Sequence, residues 1–164
     1  MERGGGVLMH IASLPGPFGI GVLGEEAIAF GKQLKEQGMK YWQVLPFSYP
    51  GSGDSPYQSF SAFAGNWLFI DPRRLMKRGL LNANEVVEQE HNVNKWRIDY
   101  DFLRVAREKM LRLAFTRADD NLKNEINKFL EENKWAQDVA AYQTAKDKYY
   151  QRAWWQWDDE DLRA

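Results

Sequence analysis

Asp54, Ser55, Tyr57 and Gln58 fall within the run Gly53-Asp54-Ser55-Pro56-Tyr57-Gln58, which continues as Ser59-Phe60-Ser61-Ala62-Phe63-Ala64-Gly65-Asn66. This stretch is too aromatic for an ordinary loop and too rich in Gly, Pro, Ser and Asp for a helix or strand. Alternating aromatic faces with short polar groups suits a ligand that is apolar on one side and hydroxyl-bearing on the other. A pyranose is such a ligand: its C–H face lies on Tyr or Phe, and its hydroxyls need Asp, Ser, Gln or backbone partners. The residues alone leave a second reading open, in which Asp54-Ser55-Pro56 is an Asx-type turn and Tyr57 packs.

The elements that would hold this loop can be read on either side of it. Residues 7–12 form an apolar run bounded by glycines and by Ser-Leu-Pro, and read as a short buried strand. Prolines and glycines exclude regular structure from residues 13–24. Residues 25–37 read as a helix, with Ala27, Phe30 and Leu34 on one face, Glu25 and Glu26 at the positive end of its dipole, and Gly38 to stop it. Residues 41–45 read as a second strand ended by Pro46. Strand, helix and strand in that order predict a βαβ unit with parallel strands. Beyond the loop, residues 67–70 read as extended and residues 73–77 as a turn of helix. Asn82 with Glu85 predicts a capping box for a helix through Glu90. From residue 99 onward the pattern is helical. Phe102, Ala106, Met110 and Leu113 make one stripe, Leu122, Ile126 and Leu130 a second, and Val139, Tyr142 and Ala145 a third. Residues 158–160 read as a further helix start. The sequence stops soon after, as a fragment of a longer protein would.

Two other motifs invite chemistry. Gly19-Ile20-Gly21-Val22-Leu23-Gly24 satisfies the G-x-G-x-x-G pattern before a helix, but prolines separate it from the strand, and no acid follows at the spacing a ribose needs. His10 and His91 have no partner at metal-ligand spacing, so no metal site is expected. His10 reads as a satisfied core or barrel-end histidine.

With 164 residues, 44% of them hydrophobic, the chain can build an ordinary core. A net charge of −1 gives no electrostatic case for nucleic acid or an anionic membrane. The chain has no cysteine, which excludes disulfides and thiol nucleophiles and suits a soluble cytoplasmic protein. The seven Trp are either large packing anchors or sugar-stacking platforms, and the sequence does not separate the two.

Ser13-Leu14-Pro15-Gly16-Pro17-Phe18-Gly19-Ile20-Gly21, then Tyr41-Trp42-Gln43-Val44-Leu45-Pro46, then the stretch 53–66 resemble, in order, the start of a 4-alpha-glucanotransferase. This is the amylomaltase or disproportionating enzyme of glycoside hydrolase family 77. Phe129-Leu130-Glu131-Glu132-Asn133-Lys134-Trp135 also reads like the family, so the resemblance covers the whole chain. It implies an α/β fold: residues 1–71 as the first strands, helix and βα loops of a (β/α)8 TIM barrel, and residues 72–164 as an inserted, mostly helical subdomain. It implies transfer of α-1,4-glucan segments between maltooligosaccharides with retained configuration, without metal or organic cofactor. The family's catalytic carboxylates are expected beyond Ala164, so no catalytic residue is expected here. Asp54, Ser55, Tyr57 and Gln58 would bind the donor side of the substrate, with Tyr57 stacking on the glucose next to the scissile bond.

Tyr100 falls where some members place a second glucan site, although Ser52 stands where they have a Tyr, and Val22 where an Asp is common. The family's nucleophile sits in an Arg-Ile-Asp-type motif, but polar residues precede Arg97-Ile98-Asp99 here, and Asp99 reads as a helix N-cap. The alternatives are a non-catalytic maltooligosaccharide-binding module and an inactive barrel remnant.

Overall fold

The structure is a computed structural model that describes residues 3–91 and 96–159. The chain divides into two compact units, Met1–Ala118 and Asp119–Ala164.

The first unit opens with two parallel strands, β1 (Gly6–Leu8) and β2 (Tyr41–Gln43), with Val7 opposite Trp42. Backbone N–H groups of Lys40 and Met9 extend the pairing by donating to Gly5 O and Gln43 O, each at 2.9 Å. Helix α1 (Glu25–Glu36) joins them, as predicted for a βαβ unit. Phe30 of α1 meets Trp42 edge to face at 5.0 Å, and the Trp42 indole donates to Met9 O at 2.8 Å.

Both strands are shorter than predicted. After His10 the chain tightens into a 3-10 turn, Ile11–Ser13, in which Ile11 and Ala12 are buried. The apolar run of residues 7–12 therefore marks core contact more than strand.

Past the long loop, residues 67–70 are not extended. Trp67–Phe69 is a 3-10 turn capped by Asn66, whose Oδ1 accepts from Leu68 N at 3.0 Å, and it buries Leu68 and Phe69. Apolar side chains can enter the core from a tight turn as well as from a strand. Helix α2 (Pro72–Lys77) starts at Asp71, whose side chain accepts from Arg73 N at 2.8 Å, with Pro72 in the first turn. Helix α3 (Ala83–Val87) has the predicted Asn82–Glu85 capping box but ends before Glu90.

Helix α4 (Tyr100–Thr116) begins at Asp99, whose Oδ1 accepts from Phe102 N at 3.0 Å. Its buried stripe is Leu103, Arg107, Met110 and Ala114, which shares Met110 with the predicted one and is otherwise shifted by one position. Phe102 leaves the core to stack on His91, with ring centroids 3.9 Å apart. Arg107, fully buried, occupies a position that an apolar pattern would never choose.

Between these elements Phe18 lies 1% exposed under two guanidinium groups, Arg73 at 5.0 Å and Arg107 at 5.2 Å from its ring centre. Burying a Phe side chain stabilises by about 1.5–3 kcal/mol, and a desolvated cation over its face adds to that. Arg73 also donates to Glu26 Oε1 at 2.8 Å and to Asp71 Oδ2 at 2.8 Å, which raises its pKa and lowers that of Glu26.

The second unit contains α5 (Asp120–Glu132) and α6 (Lys134–Lys148), the first capped by Asp119. Leu122, Ile126 and Leu130 share the half-covered face of α5, as their spacing predicts. After α6, Trp157 is buried against Tyr149 at 5.5 Å and Tyr142 at 5.8 Å. The helix start predicted at residues 158–160 extends past the described residues.

Candidate functional site

Residues 46–66 form a loop pinched by two isolated antiparallel bridges, Ser48 to Gly65 and Pro50 to Ser59. Gly51 N donates to Gln58 O at 2.7 Å, and Gln58 N to Ser55 O at 3.1 Å, closing the turn that carries the candidate residues. The turn needs left-handed backbone at two successive positions, Gly53 (φ 78°) and Asp54 (φ 57°). Glycine adopts this freely, and Asp is among the residues that tolerate it best.

Asp54 is held from outside its own loop. Its Oδ1 accepts from Nη2 of Arg104, a residue of α4. The same guanidinium donates through Nε to the Tyr49 hydroxyl at 3.1 Å and through Nη1 to Asp101 Oδ1 at 3.0 Å. Burial works against the charge of Arg104, but the Tyr49 hydrogen bond and the Asp54 carboxylate outweigh it and raise its pKa. Tyr100 lies beneath the guanidinium at 5.7 Å, and burial, with the nearby Asp54 charge, raises its phenol pKa. The structure thus brings Asp54 and Tyr100 around one arginine, although the sequence places them in separate candidate sites.

Ser55 is inward-turned, its Oγ accepting from Tyr57 N at 3.3 Å. Tyr57 projects outward, 71% exposed, and Gln58 is also exposed. Phe63, 72% exposed, stands on the same loop beyond a turn in which Ser61 Oγ accepts from Phe63 N and Ala64 N. Beneath the loop, Tyr49 stacks on Trp67 at 5.2 Å and 12° and meets Phe60 at 6.1 Å. The arrangement offers an exposed aromatic face above a rigid, hydrogen-bonded floor.

Arg104 and Tyr49 were not among the predicted site residues. Arg104 has a local signature, following Tyr100 and Asp101 by one helical turn. Its decisive partner, however, lies 50 positions upstream, and no spacing rule reaches that far.

The loop of residues 13–24 packs as structure. Phe18, Ile20 and Val22 are buried, Leu23 N donates to Phe69 O at 2.8 Å, and His91 N donates to Pro17 O at 2.9 Å. The glycines of its G-x-G-x-x-G run serve close approach: a Cβ on Gly21 would lie 1.8 Å from Ile11 O, and one on Gly24 1.8 Å from Asp71 Oδ2. Asp99, as an N-cap, is occupied by backbone. Contrary to expectation, His10 is not fully satisfied: its ring meets Phe69 edge-on at 5.6 Å, its Nδ1 is buried without a hydrogen-bond partner, and burial lowers its pKa. Among the described residues no group of His, Cys, Asp and Glu could hold a metal ion. No helix among them is long and apolar enough to cross a membrane.

Of the Trp residues, Trp157 is a packing anchor and Trp42 and Trp67 are wedged in aromatic pairs. Trp96, Trp154 and Trp155 present large exposed surfaces.

A family model described as 4-alpha-glucanotransferase matches residues 9–164. A 4-alpha-glucanotransferase of Clostridium butyricum is 41% identical over 150 residues, covering 91% of this chain and 31% of that protein. One of Streptococcus pneumoniae is 40% identical, covering 99% of this chain and 33% of that protein. One of Thermus thermophilus is also 40% identical, covering 96% and 31%. Among solved structures, the amylomaltase from Streptococcus agalactiae in complex with acarbose superposes with a TM-score of 0.91 at 38% identity, covering 97% of this chain and 32% of that one. The chain spans about a third of the length of these relatives.

Proposed function

We propose, given that this chain belongs to the 4-alpha-glucanotransferase family, that it carries donor-side sugar-binding loops of an enzyme transferring α-1,4-glucan segments between maltooligosaccharides. The observation that carries this reading is the loop of residues 46–66, where Tyr57 is held outward over a turn fixed by Asp54 and Arg104. Asp54 and Gln58 offer polar groups to sugar hydroxyls beside that ring, and Ser55 shapes the turn. For Tyr100, which lies under the same guanidinium, the proposed role is a second glucan contact.

The chemistry of a retaining transfer needs a carboxylate nucleophile and a carboxyl that acts first as acid, then as base. None of the residues proposed here fills those roles. Their part is to bind and orient the donor glucan, which lowers the barrier by fixing the reacting bond in place.

The parallel pair β1 and β2 with its crossover helix is the repeating unit of a (β/α)8 barrel, and we read the first unit as the opening of one, followed by inserted helices. Exposed Leu8 and Tyr41 on the two strands suit cover by further barrel elements. A chain without cysteine suits the reducing cytoplasm.

The test is to incubate the polypeptide carrying this sequence at its natural length with maltotriose. Glucose and longer maltooligosaccharides should appear together, and acarbose, bound by the Streptococcus agalactiae relative, should inhibit. Glucose without longer products would make it a hydrolase. Binding without turnover would favour the non-catalytic module.

A further inference from the structure

Each nitrogen of the Arg104 guanidinium has a different partner: Nε the Tyr49 hydroxyl, Nη1 Asp101 Oδ1, and Nη2 Asp54 Oδ1. Two of these partners, Tyr49 and Asp54, lie on the loop of residues 46–66, on either side of Pro50, which bridges to Ser59, and the third lies on α4 beside Arg104 itself. Tyr49 is in turn fixed by its stack on Trp67. Asp54, the other loop partner, sits in left-handed backbone, a conformation that persists only where surroundings hold it. The planar fork of Arg can serve three acceptors at once, and the single ammonium of Lys cannot reproduce that geometry.

We propose that Arg104 is a positioning residue for sugar binding: it fixes the left-handed turn at Gly53–Asp54, and so sets where Tyr57 stands, without itself touching the glucan. The inference rests on the reading of residues 53–58 as a sugar-binding loop. Arg104 is only partly exposed, and each of its three nitrogens already has a protein acceptor, two of them on the loop, which makes it a scaffold for the loop. Loss of the fork frees the turn, and a displacement of about 1 Å at a substrate-orienting group is enough to cost up to about 100-fold in rate.

The experiment compares Arg104→Gln, Arg104→Lys, Asp54→Asn, the double variant Asp54→Asn/Arg104→Gln and Tyr57→Ala in the natural-length polypeptide. Disproportionation of maltotriose is followed alongside thermal unfolding. The expected result is that Arg104→Gln and Asp54→Asn each raise KM and lower kcat/KM by about 10- to 100-fold. The double variant should be no worse than the poorer single one, Arg104→Lys should restore little, and kcat should change less than KM. Unchanged kcat/KM in Arg104→Gln and Asp54→Asn, with loss in Tyr57→Ala, overturns the positioning role and leaves the sugar loop standing. Unchanged kcat/KM in Tyr57→Ala overturns the loop reading and this inference with it. A fall in kcat and unfolding temperature at constant KM makes Arg104 a stability element, against the proposal. If Arg104→Gln fails to fold, Arg104→Lys decides: a raised KM upholds the positioning role, and an unchanged KM overturns it.

Discussion

Tyr49 and Tyr57 belong to one loop, yet their surroundings give them different work. Tyr49 is buried on Trp67 with its hydroxyl committed to Arg104, so its ring is scaffold. Tyr57 keeps its ring in solvent while its backbone is anchored to Ser55. An exposed aromatic on a braced backbone loses little entropy on binding, which suits it to stack on a sugar face. In the natural-length polypeptide, Tyr57→Phe keeps the ring and should be mild. Tyr57→Ala should lower kcat/KM on maltotriose by an amount equivalent to about 1–3 kcal/mol, the value of burying a large side chain. Parental kinetics in a folded Tyr57→Ala would make the ring packing and not platform. The mixture of aromatic and polar types marked this stretch as a candidate loop, but left open whether Tyr57 packs or faces outward. The arginines were not legible. Arg104 and Arg107 are ordinary members of a charged helix in sequence, and only the approach of distant chain gives them Asp54 and Phe18 as neighbours.

The helix starts at Asn82, with Glu85, and at Asp99 were legible because a side chain caps each locally, whereas the caps Asp71 and Asp119 were not singled out. Strand lengths and the buried face of α4 were not legible, because tertiary packing decides them. The 3-10 turns at Ile11–Ser13 and Trp67–Phe69 bury apolar residues that any periodicity reading takes for strand. At this scale the α3 cap makes a prediction. Hydrogen bonds from Arg117 and then from Asn82 N–H hold the Glu85 carboxyl down from its ordinary 4.5 to about 2. A depressed carboxyl stabilises the fold above its unfolded value, and that contribution fades as pH falls from 4.5 towards 2. Denaturant midpoints for the parent should therefore exceed those of Glu85→Gln at neutral pH, and the gap should close across that acid window. A gap undiminished at the acid end would show that Glu85 acts by something other than its charge.

For the whole molecule, three ordered motifs made the family legible, while the division of the chain at Ala118 and Asp119 left no mark in composition. The scale also sets a limit on activity. Of the acids at the candidate sites, Asp54 is held by Arg104 and Asp99 caps α4, and among the described residues no second carboxyl is paired with either as a retaining transfer requires. The 164-residue polypeptide by itself should leave maltotriose unchanged, as followed by glucose release and chain lengthening against a buffer blank. Disproportionation above that blank would place a carboxyl pair within these residues.

One arrangement in the first unit carries a mechanical consequence. The Phe18 ring is buried and has two guanidinium groups over it, which holds the loop of residues 13–24 in the core despite its glycines. The loop of residues 46–66 is held by two bridges and one guanidinium. The two loops are therefore held by different means, the first by a buried ring under two guanidinium groups and the second by backbone bridges and one ion pair, so a substitution that loosens one leaves the restraints of the other in place.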